Sequence, residues 1–106
     1  MSDLDALATD LRSFADARDW GRFHSPKNLA MALAGEAGEL LAELQWLTEE
    51  ESRALAADPG RRARVAGELA DVMIYLVQLA SALDVDLMAA AREKLAVNTE
   101  RFPVVT

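Results

Sequence analysis

Two short acidic runs stand out in the sequence. Glu36 and Glu39 lie three residues apart in "GEAGEL", and Glu68 and Asp71 repeat that spacing in "GELADV". Residues three or four apart share one face of a helix, so each run sets two carboxylates side by side. Glu43 extends the first run by one more turn. Such groups can be solvated surface, salt-bridge partners or ligands for a cation. As ligands they would offer only oxygen, which selects a hard divalent ion, Mg²⁺ or Mn²⁺. A di-iron carboxylate site would need Glu-x-x-His pairs, and the single histidine, His24, lies outside both runs.

The residues around the carboxylates favour the third reading. On a helical wheel, Leu29, Leu33, Leu40, Leu44 and Leu47 form an apolar stripe, and Glu36, Glu39 and Glu43 fall beside it. The opposite side carries Met31, Gly35, Gly38, Ala42 and Gln45, as a second packing face would. In the second segment Glu68, Asp71, Tyr75 and Gln78 share one arc. Val65, Leu69, Val72, Leu76, Leu79 and Leu83 fill the neighbouring face. Two helices of this kind pack with their acidic strips toward a common cleft. Neither strip, read this way, contains a Lys or Arg. The carboxylates must then share protons or share a cation.

The elements that would position these residues all read as helices. Ser2 and Asp3 open a helix to about Arg18, with Leu4, Leu7, Leu11 and Phe14 on one face. Asp19 to His24 is a loop. Ser25 and Pro26, a capping serine followed by a first-turn proline, start a helix to about Leu47. Thr48 with Glu51 fits a capping box for a short segment to about Ala56. Asp58-Pro59-Gly60 is a turn. A long helix spans about Arg61 to Leu83, and Asp86 caps a last one from Leu87 to about Arg101. The expectation is an all-α fold, a bundle of about four helices in one domain over residues 1–106. With 52% apolar residues in so short a chain, its core is expected to be completed by oligomerisation.

Composition narrows the partners. The net charge of −7 disfavours a nucleic-acid polymer, which binds clustered Lys and Arg. It leaves room for a small anion held through divalent cations. The longest apolar stretch, Val65 to Leu83, contains Glu68, Asp71 and Gln78, which argues against a membrane span. No basic region followed by an apolar core opens the chain, and there is no cysteine. A cytoplasmic protein is expected.

Other residues could handle a phosphate-bearing substrate. Lys94, Asn98 and Arg101 fall on one face of the last helix and could meet the far side of a polyphosphate. Trp46 and Tyr75 sit near the acidic strips and could stack on a nucleobase. Trp20, Phe23 and His24 lie in the loop before the acidic helix, where binding residues often occur.

Together, "RDWGRFHSPKNLAMALAGEAGELLAELQW", "GELADVMIYLVQLA" and "VDLMAAAREKLAVNTERFP" resemble the MazG-like all-α nucleotide pyrophosphohydrolases. Within them the pattern is most similar to the dCTP pyrophosphatase branch. The resemblance spans about residues 10 to 103. It implies Mg²⁺-dependent hydrolysis of a nucleoside triphosphate to the monophosphate and pyrophosphate. dCTP or a modified dCTP would be the substrate, and nucleotide-pool house-cleaning the role. It implies metal ligands at Glu36, Glu39, Glu68 and Asp71, and phosphate or sugar contacts at Lys94 and Asn98. It places Trp20, Trp46 and Tyr75 in the base and sugar pocket, with Phe23 and His24 close by. It also implies a homodimer or homotetramer. The general motif opens with two adjacent glutamates; here Gly35 takes the first place, as in the dCTP branch. Glu39 or Glu43 would accept the proton of the attacking water, and Lys94 would stabilise phosphate charge. Two alternatives stay open: a non-enzymatic helical module whose acidic strips pair with a partner, and a metal-dependent hydrolase of another nucleotide.

Overall fold

The computed structural model describes residues 2–105, which contain five helices, each started by a side-chain cap. They are α1 (Asp3–Ala17), α2 (Pro26–Ala42), α3 (Glu49–Arg53), α4 (Pro59–Ala82) and α5 (Leu87–Arg101). Single 3₁₀ turns at Gly21–Phe23 and Leu55–Ala57 complete the regular structure. The N-caps are Ser2, Ser25, Thr48, Asp58 and Asp86, each accepting a hydrogen bond from a backbone N–H of the first turn. Ser2 with Asp5 and Thr48 with Glu51 close full capping boxes.

Two boundaries differ from the sequence reading. Asp58-Pro59-Gly60 is a helix start rather than a separate turn: Asp58 caps and Pro59 opens α4, the same chemistry as Ser25-Pro26. The helix α2 stops at Ala42, five residues before the expected end at Leu47. From there the backbone tightens, with Glu43 N–H donating to Leu40 and Leu47 N–H to Leu44. The chain must reverse before the Thr48 cap, and residues 43–47 supply that turn.

The helices α2 and α4 form the principal packing pair, and α1 lies against α4. Leu29 on α2, Val77 and Ala80 on α4, and Ala15 on α1 are buried where the three meet. Leu33, Leu40, Leu44 and Leu47 continue the α2 stripe half-buried, as do Val65, Val72 and Leu79 on α4. Leu69, Leu76 and Leu83, expected inside, are exposed. They occupy the side of α4 that no other helix of this chain covers. By length and composition α4 could cross a membrane, yet it carries Glu68 and Asp71 and packs along α2.

The last helix stands apart. Every residue of α5 except Leu87 and Asn98 is exposed, and α5 makes no extended packing with another helix. The radius of gyration, 16.7 Å, exceeds the roughly 13 Å of a compact chain of about 100 residues. One chain thus leaves much of its apolar surface uncovered.

Both α1 and α4 end in Schellman motifs. Trp20 N–H donates to Ala15 and Asp19 N–H to Asp16; Val85 N–H donates to Ala80 and Asp84 N–H to Ser81. The left-handed residue is an aspartate in each case, Asp19 and Asp84, both at φ 55°. Glycine takes that conformation without steric cost, and a carboxylate at a helix C-terminus opposes the dipole. Asp84→Gly is therefore expected to raise the melting temperature by a few degrees, measured by thermal unfolding in parallel with the wild type.

Candidate metal centre

The α2–α4 pairing carries the acidic strips into one cleft. Carboxylate oxygens of Glu36, Glu68 and Asp71 all lie within 4.8 Å of one another. Glu36 and Glu68 are half-buried and Asp71 is exposed. Each position follows from the apolar stripe beside it: burying Leu29, Leu33 and Leu40 against α4 fixes the rotation of α2, and Glu36 turns with them. Glu39 stands outside this triad and is exposed, yet it acts on the same carboxyl. Glu68 is raised above the usual carboxylate range, first by lost hydration, then by the charges of Asp71, Glu39, Glu36 and Glu43. The carboxylates of both strips therefore share one electrostatic neighbourhood. An all-oxygen donor set with this excess of negative charge fits a hard divalent cation.

The expectation that no Lys or Arg lies in the acidic strips is corrected by Arg64. It sits on α4 one turn before Glu68, and its Nε lies 3.5 Å from Glu43 Oε2. Arg64 precedes Glu68 by four residues and so shares the acidic face of α4. Glu43, at the end of α2, thus meets a cation, whereas Glu36, Glu39, Glu68 and Asp71 form no ion pair among the described residues.

The aromatic candidates occupy different settings. Trp20 packs edge-on against Phe14, with ring centres 5.7 Å apart, and the Arg18 guanidinium covers the Phe14 ring. Phe23 is exposed on the 3₁₀ turn. His24 is half-buried and lines a cavity of about 150 Å³ with Ala15, Leu29 and Gln78. Tyr75 is half-buried one turn beyond Asp71. Trp46 is 87% exposed in the turn after α2, rather than on the helix itself. Lys94, Asn98 and Arg101 lie on α5, so one chain does not pack their helix against the carboxylate cleft.

Sequence reading missed Asn28 as well as Arg64. The Asn28 side-chain amide donates to the Phe23 carbonyl at 2.9 Å, while its backbone N–H donates to Ser25 Oγ. It ties the Trp20–His24 segment to the first turn of α2. The signal available was an amide side chain in the first turn, directly after a Ser-Pro start.

Residues 32–106 match the MazG-like family. The chain belongs to that family. Among curated MazG-like relatives, dCTP pyrophosphatase 1 of Rattus norvegicus is 47% identical over 91 residues, covering 86% of this chain and 54% of the relative. Its Homo sapiens counterpart is 47% identical over 90 residues, covering 85% and 53%. The chain spans about half the length of these relatives. Gene 37 protein of Mycobacterium phage L5 is 30% identical, covering 83% of this chain and 75% of that protein. A crystallised pyrophosphatase from Archaeoglobus fulgidus superposes with a TM-score of 0.89 at 32% identity, covering 98% of this chain and 95% of the other. The MazG-like fold is thus present over nearly the whole chain.

Electrostatics gives the cleft a testable signature. Because folding raises Glu68, the metal-free protein loses stability as pH rises from the ordinary glutamate range through the raised value. At neutral pH, Glu68→Gln is expected to raise the metal-free melting temperature. A divalent cation held by the carboxylates would reverse the order in millimolar Mg²⁺ or Mn²⁺, because the wild type would gain stability from the ion and the variant less. Thermal unfolding with chelator and with metal reads both signs.

Proposed function

We propose that this chain is a Mg²⁺-dependent nucleoside triphosphate pyrophosphohydrolase that converts a (d)NTP and water to the monophosphate and pyrophosphate. The observation that carries it is the convergence of Glu36, Glu68 and Asp71 from two helices into one cleft. The relatives named dCTP pyrophosphatase 1 support dCTP or a modified dCTP as substrate; nucleotide-pool sanitation in the cytoplasm is the role in this reading.

Glu36, Glu68 and Asp71, joined by Glu39, would hold Mg²⁺, or Mn²⁺ in its place. When bound, the ion offsets triphosphate charge and makes a water easier to deprotonate. Glu39 is the proton acceptor in this reading. It lies beside the triad, exposed and free of an ion pair, whereas Glu43 is engaged by Arg64. Water oxygen bonds to the α-phosphorus, its proton passes to Glu39, and the bond to the bridging oxygen breaks with its electron pair leaving on pyrophosphate. Positioning and charge stabilisation dominate such transfers. Tyr75, Trp46 and Trp20 would frame the base and sugar, with Phe23 and His24 at the edge.

Lys94, Asn98 and Arg101 fit this chemistry as the contribution of a second chain. Three observations support a homodimer or homotetramer: α5 is exposed almost throughout, apolar α4 residues are uncovered, and Gly35, Gly38 and Gly67 face open space within one chain. In the assembly, Lys94 of one chain would stabilise phosphate charge in the cleft of the other. The exposed α5 equally suits a non-enzymatic helical module, and metal-dependent turnover separates the two readings.

The decisive assay is pyrophosphate release across canonical and 5-substituted NTPs and dNTPs, with and without Mg²⁺. Glu39→Gln and Asp71→Asn are each expected to lower turnover by roughly 100-fold or more. Full metal-dependent turnover by both variants overturns the assignment. Mixing Glu39→Gln chains with Lys94→Ala chains is expected to recover part of the activity, because some mixed sites receive both native residues. No recovery after verified chain exchange argues against a shared site.

A further inference from the structure

One cation at the cleft has no part in the chemistry above. Arg64 approaches Glu43 through Nε at 3.5 Å, with its side chain 59% exposed and that of Glu43 30% exposed. This is a loose contact: the guanidinium forms no hydrogen bond with a described residue, unlike Arg12 and Arg18. Its N–H donors are therefore available. An ion pair this exposed contributes little to stability. Nor does Arg64 pair with the carboxylate triad: among the described residues its ion-pair partner is Glu43, not Glu36, Glu68 or Asp71.

The position fits a ligand that begins at the triad and extends outward. Arg64 and Glu68 are four residues apart on α4, a little over one helical turn, or roughly 6 Å along the axis. A diphosphate group has a comparable reach. A planar guanidinium can donate two parallel hydrogen bonds to phosphate oxygens. Among the described residues, Arg64 is the cation that pairs with the acidic strip, while Lys94 and Arg101 are on α5.

We propose that Arg64 binds the outer phosphates of the triphosphate, the part that leaves as pyrophosphate, and that Glu43 holds its guanidinium at the cleft edge until substrate arrives. The proposal rests on the pyrophosphohydrolase reading and adds a specificity residue to it. A monophosphate lacks the outer phosphates, so the contact favours substrate over the nucleotide product.

Binding of a non-hydrolysable α,β-imido analogue of dCTP and of dCMP, each with saturating Mg²⁺, tests it by calorimetry. Arg64→Gln is expected to weaken the triphosphate analogue by roughly 10- to 100-fold and to leave dCMP unchanged. Arg64→Lys is expected to recover part of the loss through its charge. Glu43→Gln frees Arg64 and is expected to bind the analogue at least as well as wild type. The proposal is overturned if Arg64→Gln binds the analogue like wild type, if it weakens both ligands equally, or if Glu43→Gln reproduces its loss. Failure of the wild type itself to bind the analogue with Mg²⁺ would instead remove the underlying pyrophosphohydrolase reading.

Discussion

Burial of the leucine stripe of α2 against α4 leaves the neighbouring carboxylates little choice of position. Leu29 is inside, Leu33 and Leu40 are partly covered, and Glu36 is carried by the same helix rotation into the groove. Glu68 arrives from the other side under the equivalent constraint. The hydrophobic gain of the pairing is non-directional, but the side chains it brings along are not. Repulsion among them opposes the packing that creates it. Sites of this kind commonly reduce stability in exchange for a binding capacity that an apolar cleft lacks.

The rest of the chain adjusts to that pair. Capped starts and two Schellman endings fix where each helix begins and stops, so α2 and α4 meet in one register. Asn28 anchors the aromatic segment to the first turn of α2, which sets Trp20, Phe23 and His24 at one end of the acidic helix. Arg64 closes the other end against Glu43. The cleft is thus bounded along its length by contacts made close to the helix ends, where backbone polar groups are already committed to caps.

A chain of this size with an uncovered α5 has not buried what its composition offers. Apolar side chains such as Met31, Leu69, Leu95 and Phe102 remain exposed, and three helix-interior glycines, Gly35, Gly38 and Gly67, face open space where a side chain would sit. Glycine inside a helix costs about 1 kcal/mol relative to alanine, and nothing within one chain requires it at those positions. The homodimer or homotetramer proposed above would account for both features.

The helices and four of their five starts were legible in the sequence, because Ser, Thr and Asp caps act locally and the apolar period is 3.6 residues; the exception is α4, whose Asp58-Pro59 start also reads as a turn. So was the pairing of acidic strips, since each strip borders a stripe that must be buried. The early end of α2 was not legible: the turn from Glu43 to Leu47 uses residues that would also suit a helix, and the need to reverse direction decides. The Arg64–Glu43 contact joins residues on different helices, so periodicity on either one could not reveal it. The exposure of Leu69, Leu76 and Leu83 depends on which side of α4 has a neighbour. Local hydrogen-bonding chemistry wrote the elements; the relative placement of those elements, a long-range packing outcome, decided which charges meet.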